Sequence, residues 1–490
     1  MPSRHLLTKS LPFAASASVV LISVFYKFSL TSNSLLPGLD GAYYWVQVRS
    51  LLENSSLAFS DLPLVIYVQA GIAWLLNDIP GAVRISDAIL PALSAFPIYL
   101  IARRYPIRLL PAVGIAFVLL NPVQLFFFTG DFIKNEAAIP LVFLLSWILL
   151  SWDERGARSR YAMAGTTILA ISFSHFGTLL LTLMILSFWL LVRIRQKQIK
   201  IRPLAIGIVI LSGLLVVLML ALVVPSRFTR LTTFISNPGD IFILPAWRAI
   251  FYGYANPVIA CTIILCQIGS ILLGVIAWKI RSTFSISEIS VVWSSLIVAF
   301  VLSSPIIGID WFNRLAALAF VPLAVSGIII FAKSSTVLQR TLIGALAVIT
   351  LLASATLSLR GPTPPVLSES RYSDFKEFAK TVDLPQNSIV VASHGMEFLS
   401  SWLLATDVAS DAYYETSCLS SYSAIFLLID KHVGVASDKP SSAGASDKPA
   451  TSGESDKPAD SNKKPVCKNQ IPPEGAKVFV GNEFVLVQVR

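Results

Sequence analysis

Charge is the first scarcity. Asp, Glu, Lys and Arg make up 13% of the 490 residues, about half of the ~25% typical of a soluble globule. That excludes a solvated globular surface over most of the chain. Cysteine is also scarce: there are four, and none of their spacings suits zinc. Cys261 and Cys266 lie in an apolar run and read as inert packing residues. Cys418 and Cys467 fall in a polar C-terminal part, where an oxidising compartment would let them bridge. Histidine is limited to four scattered positions, which argues against a metal site built on imidazole. The formal charge is +10, yet the basic residues do not gather into a surface for nucleic acid. They sit in short clusters between apolar runs, as in the cytoplasmic loops of membrane proteins, so no nucleic-acid partner is expected.

Apolar sequence is abundant instead. The chain is 55% hydrophobic, with a mean hydropathy of +0.72. Runs at 11–30, 84–100, 109–127, 137–152, 161–173, 179–192, 204–224, 258–278, 289–303, 315–331 and 342–359 read as membrane crossings, about 11 in all. Arg4 and Lys9 precede the first run, and Arg103, Arg104 and Arg108 follow the second. Both basic ends are expected on the cytoplasmic side. Two ends on one side require an even number of crossings between them. The apolar stretch 63–76, about 14 residues long, is therefore expected to lie in the interface or re-enter rather than cross. The expected architecture is an all-α polytopic membrane protein with interfacial helices in its first outer loop. Its N-terminus would be cytoplasmic.

Beyond residue 359 the composition changes. Tyr372, Phe375, Phe378 and Ala379 have helical spacing over 371–382, while 388–392, 424–429 and 477–489 read as strands, the last a pair around Gly481-Asn482. Residues 360–490 are thus expected to form a small extracytoplasmic α/β domain beside a transmembrane domain at 1–359. An insert at about 435–465 repeats Ser-Asp-Lys-Pro at 437–440, 446–449 and 455–458. With so little apolar surface it is expected to be disordered.

The chemistry-bearing residues come from distant outer loops. Asp40 opens the segment Asp40-Gly41-Ala42-Tyr43-Tyr44-Trp45, just beyond the first crossing. A carboxylate there is costly against lipid, so it is expected to face a polar cavity; capping the following helix is compatible with that. The second loop holds Asp131, Lys134 and Glu136, the turn after 161–173 holds His175, and later loops hold Arg227, Arg230, Arg248, Asp310 and Arg314. Asp131 and Glu136 would also suit the positive end of the next helix, and His175 alone suits a hydrogen-bonded turn. Arg314 opens an inward-running helix, where a cation opposes the dipole, which points to a bound anion. Carboxylates from two loops and cations from others suit a hydroxyl nucleophile and a phosphate leaving group.

At this point the chain resembles the GT-C-fold glycosyltransferases, the superfamily of aminoarabinose transferases, protein O-mannosyltransferases and oligosaccharyltransferases. The resemblance rests on Asp40-Gly41-Ala42-Tyr43-Tyr44-Trp45 with Asp61-Leu62-Pro63-Leu64, on Gly130-Asp131-Phe132-Ile133-Lys134-Asn135-Glu136, and on Arg314 ahead of a late helix. It covers roughly residues 5–335 and lacks the Trp-Trp-Asp motif of oligosaccharyltransferases. It implies a multi-pass protein of a prokaryotic cell membrane that takes a sugar from a polyprenyl-phosphate carrier. The acceptor would be a hydroxyl on a lipid, glycan or protein at the outer face, attacked with inversion. Asp40 would be the catalytic base and Asp131 its carboxylate partner. Lys134, Glu136, His175, Arg227, Arg230 and Arg314 would bind substrate. No cofactor is required. If a divalent cation takes part, Asp40 and Asp131 are its candidates, since carboxylate oxygens suit Mg²⁺ or Mn²⁺. A transporter or flippase for a lipid-linked or anionic solute is the competing class, because buried charges and broken helices also occur there.

Overall fold

The computed structural model describes residues 3–31, 33–130, 132–196, 257–304, 315–359, 364–410, 422–431 and 478–489. The expected span at 204–224, the Ser-Asp-Lys-Pro insert, Cys418 and Cys467 lie outside the described residues. The chain divides into two units: Met1–Ser32 with Val48–Pro362, and Asn33–Gln47 with Thr363–Arg490.

The first unit is helical, because a backbone in hydrocarbon must satisfy its amides internally. It contains α1 (Ser3–Leu30), the second half of α2 (Gly41–Asn54), α3 (Leu64–Leu76), α4 (Ile79–Ile89) and α5 (Ala95–Ala102). Next come α6 (Leu110–Leu119), α7 (Pro122–Thr129), α8 (Ile133–Leu150), α9 (Ala157–Ser174) and α10 (Phe176–Arg195). Last are α11 (Pro257–Lys279), α12 (Ile286–Ser303), α13 (Phe320–Lys333) and α14 (Val337–Leu359). Helix α12 packs on α10, α11 and α13. Its Ser290, Ser294 and Ser295 are fully buried, small residues that let helix backbones approach closely.

Among the described residues, eight helical stretches are long and apolar enough to cross a membrane, or nine if the bent pair α6–α7 is one span. Of the expected crossings, 161–173 falls in α9, whose first turns hold Arg158 and Arg160 and which is not among these stretches. The second span starts earlier than expected, at Ile79. Asp78 caps it, accepting the Gly81 amide at 3.1 Å, and Pro80 fits the first turn. That span is broken at Pro91, which has no amide to continue the helix, and a 3₁₀ turn over Pro91–Ser94 joins α4 to α5. The third is also broken: Asn121 caps α7 through the Val123 amide at 3.0 Å, and α6 meets α7 at 40°.

The second unit contains α15 (Glu369–Thr381), β1 (Ser388–Ala392), α16 (Met396–Leu404), β2 (Asp407–Ser410), β3 (Ala424–Asp430), β4 (Val478–Val480) and β5 (Phe484–Gln488). The sheet order is β2-β1-β3-β5-β4. Strand β1 runs parallel to both neighbours, with Val390 opposite Val408 and Phe426, whereas β3, β5 and β4 alternate antiparallel. All five residues of β1 are buried, as expected of a central strand covered on both faces. Phe375 of α15 packs on Phe484 with ring centres 4.7 Å apart. Helix α16 and strand β2 add to the elements expected from sequence.

The first-loop segment Asn33–Gln47 belongs to this α/β unit. The Ser34 amide donates to Glu369, and Gly38 forms a parallel bridge with Pro365. Tyr43 lies edge-on to Phe398 at 5.1 Å, and Trp45 lies 5.6 Å from Trp402.

Candidate functional site

In the α/β unit, Asp40 is half-buried at the entry of α2, and its carbonyl accepts the Tyr43 amide at 3.0 Å. Two glycines shape its approach. Gly38 has φ +92°, a conformation that side chains disfavour. At Gly41, a Cβ would lie 2.8 Å from that of Leu36. The loop after β1 abuts this turn. Gly395 has φ +91°, and a Cβ there would lie 3.4 Å from the Leu39 carbonyl oxygen.

The same loop carries His394, whose Nδ1 lies 2.9 Å from Glu397 Oε1. The Glu397 side chain is buried, while that of His394 is 58% exposed. His394 also lies 6.4 Å from Phe398, the ring that meets Tyr43. A carboxylate on Nδ1 orients the imidazole and selects its tautomer. The chain leaves β1 for β2 on one side, and β3 pairs on the other. The loop beyond such a strand is where open α/β sheets place ligands. His394 and Glu397 were absent from the sequence-based set, although a histidine and an acid three residues apart, just after an apolar strand, are a readable signal.

In the helical unit, the first turn of α8 gathers the charges. Lys134 bonds to Asp61, which is buried and also accepts the Leu62 amide at 2.7 Å. Glu136 bonds to Lys27 of α1 at 2.5 Å, with side-chain exposures of 0% and 3%. Asp87 of α4 is likewise fully buried. The Lys27 ammonium lies 4.7 Å from the centre of the buried Phe128 ring, a cation–π geometry. Residues two apart on a helix do not share a face, so Lys134 and Glu136 serve different neighbours. Both buried acids stand four residues before a proline, Asp87 before Pro91 and Glu136 before Pro140. Each proline removes the amide that would bind the acid's own carbonyl. Lys27 and Asp87 were not singled out in the sequence, because each lies inside an apolar run.

His175 ends α9 and caps α10, its Nδ1 accepting the Thr178 amide at 3.3 Å. That is the hydrogen-bonded turn role. Asp131, Arg227, Arg230, Arg248, Asp310 and Arg314 lie outside the described residues. Among the described residues, no group of three His, Cys, Asp or Glu side chains is placed to hold a metal ion.

No protein-family model matches the chain, and no curated protein matches it. Solved structures do. The oligosaccharyltransferase AglB from Archaeoglobus fulgidus, in complex with an inhibitory peptide and a dolichol-phosphate, is 12% identical. The match covers 84% of this chain and 69% of that one, with a TM-score of 0.52. ArnT from Cupriavidus metallidurans, in the apo state, is 11% identical over 98% of both chains, with a TM-score of 0.49. At 12% identity the likeness to AglB concerns the fold, and that fold is the GT-C fold resembled by the sequence. The chain is an integral membrane protein of that architecture.

Proposed function

We propose that this chain is a membrane glycosyltransferase. It takes a sugar from a polyprenyl-phosphate carrier and transfers it to an acceptor hydroxyl on the extracytoplasmic side. The fold carries this reading: it is shared with an oligosaccharyltransferase solved with a dolichol-phosphate. The placement of Asp40 supports it, because a half-buried carboxylate on a glycine-shaped turn suits a general base. Asp40 accepts the hydroxyl proton as the acceptor oxygen bonds to the anomeric carbon. The bond from that carbon to the phosphate oxygen breaks, and the carrier phosphate leaves with the electron pair, inverting the configuration.

Arg314, Arg227 and Arg230 are the proposed phosphate cations, and Asp131 the partner carboxylate that orients the acceptor or holds Mg²⁺ or Mn²⁺. Lys134 would exchange Asp61 for phosphate. Glu136, buried against Lys27, is assigned to positioning the first turn of α8. The test is transfer by the full chain in nanodiscs supplied with polyprenyl-phosphate sugars. Asp40→Asn should remain folded and lose about 10²–10⁴-fold in rate. A folded Asp40→Asn protein with wild-type turnover refutes the assignment. The two broken spans also suit a transporter; carrier movement across sealed vesicles without acceptor would favour that reading.

A further inference from the structure

An open groove of about 480 Å³ runs between α11 and α12, and none of the candidate site residues lines it. Its volume is within the range of small-ligand pockets, roughly 300–1,000 Å³. Ile271, Gly274, Val275 and Trp278 line one side, and Trp293 and Phe300 the other. Both helices are long and apolar enough to cross a membrane, which places the groove at acyl-chain depth. Ile271, Val275 and Trp278 are each more than half exposed, so among the described residues nothing in the helical unit covers this surface.

Two glycines of α11 behave differently. A Cβ on Gly269 would lie 2.7 Å from Leu346 and 3.3 Å from Leu323, so packing inside the protein demands a glycine there. A Cβ on Gly274 would meet none of the described residues within 4 Å. Glycine in a helix interior costs about 1 kcal/mol relative to alanine, and among the described residues no intramolecular contact accounts for that cost at Gly274. The open space it leaves belongs to the groove.

The groove has a polar end of one sign. Trp278 and Trp293 meet edge to face at 6.4 Å, the Arg281 guanidinium stacks 4.3 Å from the Trp278 ring centre, and Lys279 joins the lining. The lining contains no carboxylate. Tryptophan prefers the headgroup level, and Arg and Lys recognise phosphate.

We propose that this groove binds one anionic phospholipid. An acyl chain lies over Gly274 between the helices, and the headgroup phosphate is held by Lys279 and Arg281. The site is independent of the glycosyl-transfer reading, and its test does not use turnover.

Trp278 and Trp293 place two of the chain's ten tryptophans in the groove, so lipid with brominated acyl chains reports occupancy by quenching. The full chain is reconstituted in phosphatidylcholine nanodiscs, part of whose lipid is replaced by brominated phosphatidylglycerol or, as control, brominated phosphatidylcholine. Phosphatidylglycerol should quench more at equal bromine content. That excess should vanish in the Trp278→Phe, Trp293→Phe double variant and in Gly274→Leu, which fills the groove. Lys279→Gln and Arg281→Gln should each weaken apparent lipid affinity by about five-fold. Equal quenching by the two lipids overturns the proposal, as does headgroup selectivity that survives loss of both cations. Groove tryptophans shielded from either lipid also overturn it, and would mean that another segment of the chain or a second copy covers the groove.

Discussion

Lys27→Met tests whether the buried charges hold the helical unit together. Lys27 and Glu136 are 2.5 Å apart, with side chains 3% and 0% exposed, on helices joined by no short loop. Water cannot compensate either charge. Removing one partner of such a pair typically costs about 3–5 kcal/mol, because the other is left buried and unpaired. That shifts the unfolding equilibrium by about 10²–10⁴-fold. Glu136→Gln in the Lys27→Met background keeps the shape while removing the stranded charge. Since neutral replacements of whole buried pairs are often tolerated, the double variant should be more stable than Lys27→Met alone. The assay is denaturant-driven unfolding of the full chain in detergent micelles for wild type, both single variants and the double variant. A coupling of about 2 kcal/mol or more is expected between the sites. The reasoning is refuted if Lys27→Met stays within about 1 kcal/mol of wild type, the range of exposed pairs, or if the two substitutions add.

Gly395→Ala places a side chain at φ +91°, 2.9 Å from Val366; it should cost about 1–3 kcal/mol and speed proteolytic cleavage near Asp40 in the intact protein. At acid pH the loop after α8 should loosen. Hydrogen bonds from Arg193 and Arg104 hold Asp153 and Glu154 below the usual carboxylate range. A depressed folded-state pKa adds stability that is present above about pH 4 and lost as pH falls through that range. The unfolding midpoint should therefore drop on acidification, and by less in Arg104→Gln, as followed by circular dichroism across pH. Helix α3 has 13 residues, about 20 Å in length, against a hydrocarbon core of about 30 Å. Single cysteines beside Asp61 and Asp78 should both react with an impermeant reagent from the outer side, and labelling of either from the cytoplasm alone would sink the interfacial assignment.

The helices were legible because apolar runs in a membrane protein admit few other structures. Their breaks were written just as locally, in Pro91 and in Asn121-Pro122, but run length alone does not reveal them. Strand β1 could be read from Ile389-Val390-Val391, whereas β2 has four residues and only two apolar ones. The charges divide along a different line. Asp40 and Lys134 sit between runs and attract notice. Lys27 and Asp87 sit inside runs, where a single charge reads as a blemish, and the Lys27 partner is 109 residues away. His175 shows the converse: it is conspicuous in the sequence, and its Nδ1 caps α10.

The α/β unit is assembled from pieces made at opposite ends of synthesis. Asn33–Gln47 leaves the ribosome more than 300 residues before Thr363–Arg490. At ~5–20 residues per second, that interval is about 15–60 s. Until Pro365, α15 and α16 exist, Ser34, Gly38, Tyr43 and Trp45 lack the partners that fix the turn carrying Asp40. A chain stalled after α14 would have its helices but no ordered first loop. Expressed alone, the C-terminal segment would present an uncovered surface at Pro365, Phe398 and Trp402.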